Sequence, residues 1–411
     1  MVDQDAFPEL FHPSSRAEPH AIYARMRAAG RLHRLVHPRL DVPIWVAVRY
    51  DDCVELLKDP RLIRDFRKLP DEVRRRYFPL SDRTTFMDQH MLDADPPDHT
   101  RLRAIVQRAF SPRMMEGLRP RIQEIADGLI DAVIDRRRME LIADFAFPLP
   151  TAVIAELLGL PVEDRGRFRR WTKILLAPAK DREFVERAQP VVEEFAAYFR
   201  ALADARRKAP RDDLISGLLL AEEQEHKLSP AELSSMVFLL LVAGHETTVH
   251  LIASGMLLLL SHPAERRRLD EDPGLVGSAV EEALRCEGPA ELSTIRWSLE
   301  DIELFGARVP AGEGVAAGLL AANRDPQHFP DPDRFDIGRS PNRHIGFGGG
   351  IHFCLGAMLA RIEAAIAFST LLRRLPRIEL ATSTRDIVWS EWPTIRGPAA
   401  VPVVFHHHHH H

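Results

Sequence analysis

The chain has 411 residues, 45% of them hydrophobic and 28% charged, with a formal net charge of −5. Those proportions are ordinary for a soluble globular protein, and the acidic balance leaves no bulk basic character to suggest nucleic-acid binding. The three cysteines, Cys53, Cys286 and Cys354, stand at no disulfide-framework spacing and fit a reducing interior. Residues 406–411 are a histidine purification tag and are set aside. The first residues show no basic start followed by an apolar stretch, and the apolar runs 236–243 and 256–260 fall short of a bilayer span. A cytoplasmic protein is expected.

In chain order, residues 20–29 read as an amphipathic helix stopped by Gly30. Residues 44–48 and the region of Leu35 read as short strands, after which Asp51 caps a helix to Lys58. The polar, proline-bounded stretch 70–97 reads mostly as a long loop. Helices follow over 99–110, 116–135, 150–158, 163–176 and 182–207, and Pro190 is expected to kink or divide the last. The longest helix starts at Ser229, with Glu232 completing a capping box, and reaches about Ser261. Another spans 275–285. Residues 293–310 alternate as strands, with a turn at Pro310-Ala311-Gly312, and 323–340 is rich in Pro and Asp and irregular. An apolar helix over 355–372 and strand-like pieces at 377–380 and 400–405 complete the chain. No repeat, low-complexity segment or composition shift marks a linker. The expectation is one mainly α domain with a small β portion, over 1–405.

The sharpest local signal is Phe347-Gly348-Gly349-Gly350-Ile351-His352-Phe353-Cys354-Leu355-Gly356. A thiolate at Cys354 would sit at the positive end of the helix that follows, which favours the anion. Glycines let the backbone turn and approach a flat cofactor, with amide N–H groups aimed at the sulfur. These are the requirements of an axial cysteine on haem iron. The order F-G-x-G-x-H-x-C-x-G resembles the cysteine-ligand loop of the cytochrome P-450 family. Cys53 and Cys286 have no ligand-like context and read as structural.

Further motifs carry the same resemblance. Within the longest helix stands Ala243-Gly244-His245-Glu246-Thr247-Thr248. A mid-helix glycine costs about 1 kcal/mol relative to alanine, and Thr247 can return its hydroxyl to the Ala243 carbonyl, which would open a notch. The resemblance implies that Thr247 hydrogen-bonds dioxygen at the haem and Glu246 relays protons. Glu282-Ala283-Leu284-Arg285 is an E-x-x-R pair, and the resemblance adds Arg334 of Phe329-Pro330-Asp331-Pro332-Asp333-Arg334-Phe335 as its partner in a network supporting the cysteine loop. It further implies propionate contacts from His99, Arg103, Arg296 and His352, with Ala243, Phe347, Gly348 and Gly356 also against the cofactor and Cys354 as the metal ligand. His344 has a minor chance of contact.

The resemblance implies a helical prism with a small sheet region near the N-terminus, holding haem b. It implies a dioxygen-dependent monooxygenase that hydroxylates or epoxidises a lipophilic polyketide, terpenoid or fatty acid. No flavin or nicotinamide fingerprint is present, so electrons are expected from a ferredoxin and its NAD(P)H-dependent reductase, docking near Arg101, Arg108 and Arg113. Neither a nucleic-acid nor a membrane partner is expected, and a monomer is. A peroxide-driven peroxygenase and a non-catalytic haem sensor are the alternatives; the intact Glu246-Thr247 pair favours dioxygen. Phe86, Met87, Leu239, Ala243, Leu292, Trp392, Thr394 and Ile395 are candidate pocket lining. Glu291 and Arg396 are candidates to orient a polar group, although surface placement is the usual fate of such residues.

Overall fold

A computed structural model describes residues 5–78, 98–175, 182–225, 230–348 and 356–406. The chain forms two compact units: Met1–Ile63, Gln123–Leu149 and Thr247–His411 make the first, and Arg64–Ile122 with Pro150–Glu246 the second. Every described strand belongs to the first unit.

The main sheet has four strands. Leu32–Val36 pairs antiparallel with Pro43–Ala47, which runs parallel to Gly314–Ala317, and Arg296–Trp297 closes the far edge antiparallel. Alternation along the second strand explains its burial on both faces. Ile44 and Val46 join a cluster with Leu10, Tyr23, Met26 and Leu35. Ala47 and Trp45 face the opposite cluster with Cys53, Leu56, Val315 and Leu319. The N-terminal pair of strands is therefore as expected, and 293–310 contributes the short edge strand and the whole Ile302–Leu304/Ala307–Val309 hairpin. Arg138–Glu140, Pro402–Val404 and Glu379–Leu380 form a separate three-stranded sheet.

The second unit is helical throughout its described residues. Trp171, Phe195, Tyr198 and Phe199 pack edge-on and tilted against one another. A buried Arg206–Asp213 pair at 2.9 Å ties the end of one helix to the start of the next. Pro190 lies inside the Arg182–Lys208 helix, which is not divided there. Several elements were absent from the sequence pattern, three helices among them. Asp71–Tyr77 is helical inside the expected 70–97 loop, and Leu214–Glu225 and Pro263–Glu271 are helices. Residues 79–97, with the candidate lining residues Phe86 and Met87, lie outside the described residues.

The longest helix is Pro230–Ser261. The Glu232 carboxylate accepts two bonds from Arg101, at 2.5 and 3.2 Å, and Ser229, its expected capping-box partner, lies outside the described residues. The helix is continuous through Gly244–Thr247, so the expected notch does not interrupt it. By length and composition its stretch Ser235–Ser261 could cross a bilayer, which the short apolar runs alone did not suggest. However, 79% of the apolar window is buried within the fold, as in a core helix. Gly255 permits part of that packing, since a Cβ there would lie 2.2 Å from Cζ of Phe368 on the helix Ala357–Arg374. The long helix and the helix that follows the cysteine loop therefore meet in direct contact.

Candidate active site

The approach to the cysteine loop is built on one buried ion pair. On the helix Val276–Glu287, Arg285 Nε donates to Glu282 Oε1 at 2.6 Å, and both side chains are fully buried. Isolated, such a pair would scarcely repay the desolvation of two charges. Here every remaining site is used. Glu282 Oε2 accepts from the Asp336 amide at 2.8 Å and from Arg339 Nε at 3.0 Å. Arg285 donates to the carbonyls of Asn323, Pro332 and Arg334 at 3.0, 2.7 and 3.0 Å. The pair thus pins the irregular 323–339 segment at several backbone points.

This corrects the expected partner. Arg334 is exposed and gives only its carbonyl, while Arg339 supplies the second guanidinium. Successive turns, Arg334 N to Asp331 O and Arg339 N to Asp336 O, aim the Arg334 carbonyl inward and bring the later side chain back.

From there the chain is guided residue by residue. Asn323 Oδ1 accepts the Ile345 amide at 2.8 Å. His344 has both ring nitrogens engaged: Nδ1 accepts the Gly346 amide at 3.0 Å and Nε2 meets Glu281 Oε2 at 2.7 Å. It positions the loop, and its nitrogens are not presented to a cofactor. Arg361, on the helix beyond the loop, donates to Glu281 Oε1 at 2.5 Å and lies 4.9 Å from the Phe347 ring centroid. Burial alone would raise the Glu281 pKa; His344 and Arg361 reverse that and hold the carboxyl below its ordinary value. Glu281, Asn323, Arg339 and Arg361 are supporting residues that the sequence reading missed. Arg361 alone offered a signal, seven positions after the cysteine in sequence and on the helix Ala357–Arg374.

Phe347 is buried, and Gly348 adopts φ +82° with no described atom within 4 Å of where a Cβ would stand. That positive φ favours glycine at this position. Gly356 immediately precedes the helix Ala357–Arg374. His352 and Cys354 lie outside the described residues. Arg296, on the edge strand, is buried and donates through Nη1 to the neutral Leu57 carbonyl at 2.8 Å. A buried guanidinium in the first unit and a glycine at positive φ beside the cysteine motif suit a flat dianionic group such as haem.

In the second unit, Arg103 is half-buried on the helix Asp98–Ala109, whose first turn carries His99. Glu246 and Thr247 are both half-buried on the long helix, which also carries Ala243. The other two thiols are unsuited to a metal. Burial raises the Cys53 pKa strongly, and burial pushes the Cys286 thiol up to about 12 despite the Arg285 charge beside it.

Among the candidate lining residues, Leu292 belongs to the sheet core with Leu10 and Tyr23, and Leu239 is buried. Trp392, half-buried, packs edge-on against His37, Thr394 is half-buried, and Ile395 bridges Ala290. Glu291 and Arg396 are neither surface residues nor free to orient a ligand. Glu291 accepts from Arg16 at 2.6 and 3.1 Å and from Tyr23 at 2.7 Å, all buried. Arg396 donates to Glu287 at 2.5 Å and stacks 4.1 Å from the Trp389 centroid. Both are held in buried charge clusters that fasten the C-terminal segment to the N-terminal one.

Comparison with known proteins follows the same pattern. The family model for cytochrome P450 matches residues 167–273 and 274–385. The polyketide biosynthesis cytochrome P450 PksS of Bacillus subtilis is 43% identical over 96% of this chain and 98% of its own length, and its solved structure superposes with a TM-score of 0.88. The cytochrome P450 monooxygenase PikC of Streptomyces venezuelae is 44% identical over 94% of this chain and 91% of its own. The structure of P450BioI with a hexadec-9Z-enoic acid-ligated acyl carrier protein is 39% identical, covers 96% of this chain and 99% of its own, and has a TM-score of 0.85.

Replacing Glu282 by Ala leaves the Arg285 charge buried without its carboxylate, and a loss of about 3–5 kcal/mol is expected. Arg334→Ala, which keeps the carbonyl, is expected to stay within about 0.5 kcal/mol of the parent. Denaturant unfolding of both variants measures the difference. Equal losses would restore Arg334 as the buried partner.

Proposed function

The chain belongs to the cytochrome P450 family, and we propose that it hydroxylates or epoxidises a lipophilic small molecule of the polyketide or fatty-acid class. It is a haem-thiolate monooxygenase. The observation that carries the substrate class is near full-length similarity to a P450 named for polyketide biosynthesis, supported by likeness to one solved with a fatty acyl carrier protein. A hydroxylase/epoxidase named for mycinamicin IV, 42% identical over 90% of this chain, supports the two reaction types.

Haem supplies dioxygen activation and oxidising power. The chain supplies ligation, orientation and protons. Cys354, which precedes the helix Ala357–Arg374 in sequence, would ligate the iron, and the dipole of that helix would favour the thiolate. His99, Arg103, Arg296 and His352 hold the propionates, with Arg suited to bidentate carboxylate pairing. Ala243, Phe347, Gly348 and Gly356 line the cofactor. Glu246 would take a proton from solvent, and the adjacent Thr247 hydroxyl would hand it on towards the cofactor site. One domain over 1–405, acting as a cytoplasmic monomer, carries all of this.

Electrons come from a ferredoxin and its NAD(P)H-dependent reductase. Arg108 and Arg113 are exposed and form the docking charge. Arg101 is withdrawn from that role by its ion pair with Glu232.

With a ferredoxin and reductase pair, Thr247→Ala is expected to bind haem and consume NAD(P)H normally. Its product per NAD(P)H should fall several-fold, with peroxide and water in its place. Unchanged coupling would contradict the role given to Thr247. The double variant Arg108→Glu, Arg113→Glu is expected to be reduced more slowly by an acidic ferredoxin at low salt. It should converge with the parent near 1 M salt, where the screening length is about 3 Å. A parent reduction rate that ignores ionic strength would contradict the docking surface.

A further inference from the structure

His250 stands three residues after Thr247 on the long helix, so the two side chains share one face. Its imidazole is fixed from behind. A Cβ on Gly397 would come within 2.0 Å of His250 Nδ1, which means that this backbone lies directly against the ring. Gly397 is itself held: its carbonyl accepts the Ser390 amide at 2.9 Å, and the neighbouring Arg396 amide donates to Pro289 O at 2.7 Å.

The two ring nitrogens therefore differ. Nδ1 is buried and has no hydrogen-bond partner. The residue as a whole is half-buried, and Nε2, unlike Nδ1, is not among the buried side-chain atoms that lack a partner. A proton on Nδ1 would be buried without an acceptor. The proton belongs on Nε2. Burial pushes the His250 pKa down to about 4, so the ring is neutral near pH 7. The result is a rigid, uncharged, single N–H donor, one helical turn from Thr247.

We propose that His250 is a positioning residue for proton delivery, its Nε2–H anchoring a water that serves the Thr247 hydroxyl. The anchored water gives a proton to Thr247 Oγ and regains one from solvent, while the imidazole keeps its single proton throughout. A neutral donor suits this task because it orients the water oxygen without competing for the proton. The inference rests on the role proposed for Thr247.

The test uses the haem-loaded protein and three variants. In 15N-histidine-labelled parent, the resonance that His250→Asn removes is expected to be that of the neutral Nε2–H tautomer. An Nδ1–H tautomer or an imidazolium at pH 7 would overturn the proposal. With ferredoxin and reductase, His250→Leu should lower product per NAD(P)H several-fold and alter the solvent deuterium isotope effect. His250→Asn, which keeps an N–H donor, should recover most of the coupling. Coupling and isotope effect in His250→Leu equal to the parent's would overturn it. The carbon monoxide spectrum of each reduced variant should match the parent's, which separates loss of the relay from loss of the haem site. If Thr247→Ala uncouples and His250→Leu does not, the inference about His250 falls alone. If neither uncouples, the role of Thr247 falls first.

Discussion

Everything near the cysteine loop depends on one pair of charges taken out of water. Glu282 and Arg285 are fully buried, and their attraction alone would not offset desolvation. What makes the pair favourable is the set of backbone groups around it. Arg285 reaches three carbonyls and Glu282 one amide, all in a segment with almost no regular structure of its own. The pair substitutes for the secondary-structure hydrogen bonds that this proline-rich stretch lacks. Positional order then passes along the chain, through Asn323 to Ile345, through His344 to Gly346, and through Glu281 to Arg361 beyond the loop. The described residues on both flanks of the cysteine motif are thus held in place.

The same logic governs the long helix. Its hydrophobic length would suit a bilayer, yet most of the apolar window is buried by protein, and at Gly255 it is drawn against the helix that leaves the cysteine loop. A residue on this helix is thus referenced to the loop through direct contact between two rigid elements. Thr247 and His250 inherit that rigidity, and His250 gains a second constraint from the fastened C-terminal segment. The proposed proton delivery would benefit, because small displacements of a donor weaken a hydrogen bond steeply.

Much of this was legible in the sequence because the chemistry is local there. The cysteine loop, the Glu246-Thr247 pair and the Glu282/Arg285 pair are contiguous or one turn apart, so the family resemblance can be read on them, although the E-x-x-R pair alone is a weak signal. The mainly α character and the N-terminal strands followed from periodicity. What escaped was set by tertiary return of the chain. Arg339 replaces Arg334 because two tight turns decide which side chain points inward, and no periodicity encodes that. Glu291 and Arg396 read as surface residues until Arg16, Tyr23 and Glu287 close around them from distant positions. The helices Leu214–Glu225 and Pro263–Glu271 were missed because the first carries a weak polar face and the second is almost wholly charged. Pro190 and the mid-helix glycine broke nothing, since burial of a long helix outweighs a single lost bond.

The central claim is that this frame exists to hold the Cys354 thiolate on haem iron. Absorption spectra of the reduced protein under carbon monoxide test it most directly, with Cys354→Ala measured beside the parent at equal haem content. The account predicts the red-shifted Soret band of thiolate-ligated haem in the parent and its loss in the variant. The same band in both, or an imidazole-type band in the parent, would contradict it.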